Sequence, residues 1–177
     1  MPRMPLPAAA VLTCLALVCV TAAPIVPKFD LSHDVRSTAD VGELVLLIHD
    51  LPEPLQAAGI RQEELAFVWR KKLKAAGIAV VEEDAPRLTL RIRHLEDEDV
   101  PDAAGLLALL LFEQDVTVRR LDERLKLPSY TGYAAGIDAR DNIRESFEPA
   151  IHGMIDNFID AVREATADRR RREANEG

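Results

Sequence analysis

The sequence predicts an α+β domain: a mostly antiparallel sheet of about four to five strands with two helices packed on one face, in the order β-α-β-β-β-β-α. Three observations carry that reading. Residues 87–95, RLTLRIRHL, alternate apolar and polar at the period of a strand covered on one side. Two stretches, Leu65 to Ala76 and Ile143 to Val162, place apolar residues at helical spacing. Two further runs, 43–49 and 106–112, are apolar at strand length without a helical period.

Residues 1–22, MPRMPLPAAAVLTCLALVCVTA, precede the domain and read as a secretory signal peptide. Arg3 supplies the basic start, Pro7 to Val20 the apolar stretch, and Val20-Thr21-Ala22 the small residues of a cleavage site. The apolar run falls short of the ~20 residues that span a bilayer. Cys14 and Cys19 both lie inside it, and neither follows a lipid-attachment pattern. A mature chain starting near Ala23 therefore has no cysteine, no disulfide framework and no thiol nucleophile. Its stability must come from an ordinary core.

Residues 23–42 carry Pro24 and Pro27 and no sustained period, and are expected to form an extended arm. The domain proper spans 43–166. Its first strand, Glu43 to His49, is apolar on both sides and stops at Asp50-Leu51-Pro52-Glu53-Pro54. Leu65, Val68, Trp69, Leu73 and Ala76 then form one helical stripe, with Glu63 and Glu64 at its start and lysines at its end, as the helix dipole favours. Gly77 suits the left-handed position that closes such a helix, and Ile78 to Val81 follows as a short strand.

After the alternating strand 87–95, an acidic loop, Glu96-Asp97-Glu98-Asp99, precedes a long strand over 106–120, bulged near Gln114. Residues 127–136, LPSYTGYAAG, are expected as the last strand, weakened by its glycines. The closing helix runs from Ile143 through Val162, capped by Asp138 or Asn142 and kinked or broken at Pro149. Beyond it, residues 167–177 are charged and without an apolar anchor, which predicts a disordered tail.

The chemistry is sparse. No nucleophile elbow, phosphate loop, H-E-x-x-H or dinucleotide fingerprint is present, so no catalytic residue is assigned. The histidines are His33, His49, His94 and His152. His49 and His94 end predicted strands and are expected to be polar strand ends rather than metal ligands. Starting a Ca²⁺ loop at Asp97 would put Pro101 at its fifth position and Asp102 where glycine belongs, so that template fails. No metal or cofactor is expected.

The formal net charge of −8, which loss of Arg3 makes more negative still, argues against nucleic acid as a partner. The run Arg169, Arg170, Arg171 and Arg172 is the local exception and would support membrane contact of a peripheral kind at most. Thr89, Arg91 and Arg93, joined by Thr117 and Arg119 from a neighbouring strand, would make a cationic open sheet face. That face is the candidate binding surface.

Several of these features together resemble the N-terminal domain of TolB and small envelope domains of the LptE-like and transport-auxiliary kind. They are the early apolar strand 43–49, the helix ending Ala75-Ala76-Gly77-Ile78, the P-x-L-x-L-x-I strand from Pro86 to Ile92, the meander and the closing helix. The resemblance covers about residues 43–165 and lies in topology and spacing, so it transfers no functional residue. It implies an assembly or interaction module. The expectation is thus an exported, non-enzymatic module of the bacterial cell envelope, periplasmic or secreted, whose partner is another envelope protein. The competing expectation is a periplasmic carrier holding a small apolar ligand between sheet and helices, in a cavity lined by Leu107, Leu109, Leu111 and Phe158.

Overall fold

The structure, a computed structural model, describes residues 31–95 and 102–177. The expected signal peptide, the first part of the expected arm and the acidic stretch Glu96–Asp99 lie outside the described residues. The elements are α1 (His33–Arg36), β1 (Glu43–Ile48), α2 (Glu53–Ala57), α3 (Gln62–Ala75), β2 (Ala79–Val81), β3 (Arg87–Leu95), β4 (Ala103–Val118), β5 (Glu123–Ala139) and α4 (Ile143–Glu176), with a 3₁₀ turn at Arg140–Asn142. The strands form one sheet in the order β2-β1-β3-β4-β5. The α+β class holds.

The sheet is mixed. The long ladders β3–β4 and β4–β5 are antiparallel, but β1 runs parallel to both of its neighbours. The cause lies in the connection from β1 to β2: α2 and α3 fill it, and a helical crossover returns the chain in the direction it left. Residues 82–86, with Asp84 in the left-handed region at φ 61°, then carry the chain from one side of β1 to the other.

The helices α2 and α3 close in the same way. Gly59 and Gly77 have φ of 81° and 83°. The amides of Ile60 and Ile78 donate to the carbonyls of Leu55 and Leu73, five residues back, while the two glycine amides donate to Gln56 and Lys74. This double bond pattern satisfies carbonyls the helix would leave orphaned, and it buries Ile60 and Ile78 against the residues they bond.

The core lies between one sheet face and the helices. Leu44 and Ile48 of β1, Leu88, Leu90 and Ile92 of β3, and Leu106, Ala108, Leu110 and Phe112 of β4 meet Leu65, Trp69 and Leu73 of α3. The stripe of α4 from Ile143 to Val162 covers the rest. Phe158 packs against Phe112 at 5.3 Å and edge-on against Tyr130 at 5.5 Å between ring centroids. Lys72 joins α3 to α4 through Asp156 at 2.7 Å.

Four expectations change. Residues 33–36 form α1 instead of extended chain, and the segment after it is fastened down. Thr38 is fully buried, the Ser37 hydroxyl donates to the Ser129 carbonyl at 2.9 Å, and the Asp40 amide donates to Thr166 Oγ1 at 2.9 Å. Residues 168–176 are helical instead of disordered, because Arg172 pairs with Asp168 and Glu173 with Arg169 one turn apart, both at 2.8 Å. Of the kink or break expected at Pro149, the break does not occur: α4 is one helix from Ile143 to Glu176.

The fourth change concerns capping: neither Asp138 nor Asn142 caps α4 with its side chain. Asp138 instead accepts from the Ala139 amide at 2.8 Å, which holds its carboxyl below the usual carboxylate range. The bulge expected near Gln114 falls opposite Phe112 and Glu113, on β5, where Ser129 is the extra residue. Gln114 fixes it by donating to Ser129 Oγ at 2.8 Å and to the Ser37 carbonyl at 3.0 Å.

Candidate interaction surface

Strand alternation sends every second side chain to the face opposite the helices. The ladder registers place Leu47, Thr89, Leu111 and Thr131 in one row across that face, then Arg91, Leu109 and Tyr133, then Arg93, Leu107 and Ala135, then Leu95, Gly105 and Ile137. None of the described helices covers these rows. Tyr133 and Ile137 are 77% and 79% exposed, Leu95 54% and Leu47 37%. The leucines of β4 between them are half-buried. The result is an apolar strip along β4 with arginines on its β3 side and aromatic and aliphatic groups on its β5 side.

Thr89 was expected to face water, and it does point to this open side, yet it is 1% exposed. Leu47 and Leu111 flank it across the strands and close over it. Its Oγ1 has no hydrogen-bond partner among the described residues. Arg91 and Arg93 are exposed. Arg91 Nε donates to His49 Nε2 at 3.2 Å, so the imidazole acts as an acceptor there and is held at the open face.

Thr117 and Arg119 do not join that cluster. β3 ends its pairing with β4 at Glu113, and the chain beyond continues as a two-stranded ribbon with β5. Thr117 lies six residues past Leu111, the partner of Thr89, which is about 20 Å along the strand. Arg119 sits in the turn after it, exposed. His94 belongs to the helix side of β3, while His49 is tied to the open side, so the two do not converge. Among the described residues no three His, Cys, Asp or Glu side chains come together.

Sequence reasoning missed the apolar half of this surface. Leu107, Leu109 and Leu111 point away from the helices, so they cannot line a cavity with Phe158. Phe158 is fully buried on the other side of the sheet. A usable signal was present. A strand apolar at every position from Leu106 to Phe112 must be apolar on both faces, and two amphipathic helices suffice to cover one.

The remaining hollows are peripheral. A cleft of about 120 Å³ between α3 and α4 is bordered by Ile60, Arg61, Leu65, Glu148 and His152. Burial, and then the Lys72 charge, hold His152 below its ordinary imidazole value. An open groove of about 400 Å³ runs along Asp40, Gly42, Ile78, Val162 and Arg170. The arginine run is spread around α4 and partly neutralised: Arg169 reaches Asp40 at 2.7 Å, and Arg171 lies 3.5 Å from Asp168. No described helix is long and apolar enough to cross a membrane.

No protein-family model and no curated protein matches this sequence. Several solved structures align with it, two bacterial lipoproteins among them. One is a minor lipoprotein from Acinetobacter baumannii, 20% identical, with a TM-score of 0.31 over 73% of this chain and 95% of that one. The other is the rare lipoprotein B from Shewanella oneidensis, 17% identical, with a TM-score of 0.29 over 75% of this chain and 97% of that one. Scores of this size leave the function of the chain to be argued from its own residues.

Proposed function

We propose that this protein is an exported, non-enzymatic module of the bacterial envelope that docks another protein on the uncovered face of its sheet. The observation that carries the reading is the contrast between the two faces. On the helix side the side chains pack into a closed core. On the other side Leu47, Leu107, Leu109, Leu111, Tyr133 and Ile137 form a strip that no described element covers. A sheet buries its apolar face against another layer, and here that layer is the partner. Arg91 and Arg93, exposed on an acidic protein, complement a partner with carboxylates beside its apolar contact. Thr89 lies beneath the first row of the surface, between Leu47 and Leu111, and Thr117 and Arg119 form an outlying contact on the ribbon.

Export rests on the leader-like segment, and the element-level resemblance to small envelope assembly domains points the same way. The carrier alternative is less well supported. Its expected lining is divided between opposite sides of the sheet, and the side facing the helices is filled.

Photo-cross-linking in cells tests the proposal. A cross-linking residue at Leu109 should yield one protein adduct, weakened by Arg91→Glu with Arg93→Glu. The same residue at Glu164, on the exposed side of α4, should yield none. Equal labelling from both positions, or none from Leu109, overturns the reading.

A further inference from the structure

β5 is an edge strand of unusual length, with β4 as its one ladder partner among the described strands; at Ser129 its carbonyl is already taken by the Ser37 hydroxyl. Its two halves differ in a way that bears on pairing. Edge strands resist adding another strand when they carry lysine, proline or other charge. Glu123, Arg124, Lys126 and Pro128 provide that protection in the first half. From Ser129 to Ile137, SYTGYAAGI, there is no charged side chain and no proline, although Tyr133 and Ile137 are among the most exposed apolar groups described. Past Ser129, which is bulged and bonded to Ser37, the eight residues 130–137 offer roughly 26 Å of edge without charge or proline.

We infer that residues 130–136 of β5 pair antiparallel with the same residues of a second copy of this chain, joining two sheets across a two-fold axis. The inference rests on the reading of the sheet as an interaction surface and names a partner for its edge. Charge decides the direction. Arg124 and Lys126 outweigh Glu123 at the start of β5, while Asp138 and Asp141 outweigh Arg140 just past its open stretch. An antiparallel approach lays the basic end of one strand along the acidic end of the other, whereas a parallel approach sets like against like. An isologous contact of this kind also closes on itself, so the edge is consumed in both copies and no filament follows. Tyr133 falls at the middle of the stretch, close to its counterpart, and extends the apolar strip of each copy into the other.

Sedimentation velocity on the protein purified from expression of the full chain tests this. The wild type should sediment as a dimer. Tyr133→Lys and Tyr133→Glu, each alone, should weaken dimerisation at least about tenfold by setting like charges opposite each other. An equimolar mixture of the two should restore it as a mixed dimer. Thr131→Lys with Ala135→Lys, two positions that face each other across the two-fold, gives an independent repulsive variant, Thr131→Lys with Ala135→Glu its compensated counterpart, and thermal melts confirm that each variant is folded. A dimer that survives the single Tyr133 variants and the repulsive double-lysine variant overturns the β5 edge as its interface. A wild-type monomer at the highest attainable concentration that cross-links through Thr131 to a different protein overturns the second copy but keeps the interaction surface. A monomer that cross-links from neither Thr131 nor Leu109 overturns both.

Discussion

Ala-Ala-Gly-Ile occurs at 57–60, 75–78 and 134–137, and the four residues do different work in different places. In the first two, glycine takes a positive φ and ends a helix. In the third the same tetrapeptide is strand, and Gly136 serves by lacking a side chain: a Cβ there would lie 3.2 Å from the Phe147 ring. Thr89 is a second residue whose setting decides its role. Its hydroxyl is buried without a partner, a state that costs stability, and valine has nearly the same shape without the polar atom. Thr89→Val should raise stability by on the order of 1 kcal/mol, read from urea unfolding. A loss would mean that the hydroxyl is satisfied.

His152 sets a pH response at the same scale. The folded state lowers its proton affinity through burial first and Lys72 second, against the opposing pull of Glu148 and Asp156. Unfolding restores the ordinary value of 6.5, so the unfolded chain binds more protons and stability falls as pH drops through that value. Asp34 and Asp138, whose carboxyls are held below 3.8, lose their contribution only in stronger acid. The loss between pH 7.5 and 5 should therefore shrink in His152→Gln, as thermal melts across that range would show.

At the scale of elements, α4 combines two kinds of helix. From Ile143 to Ala165 it is held by burial, and beyond Asp168 by ion pairs within itself and by Arg169 on Asp40. Exposed pairs contribute little to stability. Removing residues 168–177 should leave the urea midpoint nearly unchanged, whereas a cut before Phe158 should prevent folding. A large shift from the shorter truncation would show that the terminal turns carry structural weight. The contrast also explains what the sequence made legible. β3 was readable from its alternation, and α3 and the first part of α4 from their stripes, since burial leaves a periodic trace. The end of α4 leaves none, because charges at i and i+4 look the same in a helix and in a loose tail. The start of β5 was hidden likewise: Glu123, Arg124, Lys126 and Pro128 read as loop, and pairing with β4 makes them strand. The direction of β1 was not legible, because alternation does not encode parallel or antiparallel. For the candidate surface, Arg91 and Arg93 were found from β3 alone. Its apolar half was missed because a strand apolar at every position does not say which face is covered.

For the whole molecule, the ladders grade from a doubly flanked centre to a bare ribbon. β3 and the middle of β4 have neighbours on both sides and the core beneath, while residues 114–127 extend past the last residue paired with β3. Local opening follows that gradation. Hydrogen exchange should be slowest at Leu88–Ile92 and Leu106–Phe112 and fastest among strand residues in 114–127. Uniform protection along β4 would mean that the ribbon is held by something the sheet does not show.

The position of α4 along the chain has a consequence in time. This helix supplies ten of the buried apolar side chains, and Asp40, near the start of the fold, is fastened to Thr166 and Arg169 close to the helix's far end. A polypeptide emerging from its N-terminus presents the whole sheet before it presents the layer that covers one side of it. Until α4 arrives, β1, β3 and β4 have only α2 and α3 to bury against, and the chain should stay open. If the chain is exported as proposed, this order would let it be threaded through a narrow passage without first having to be unfolded, and it would set only once α4 is through.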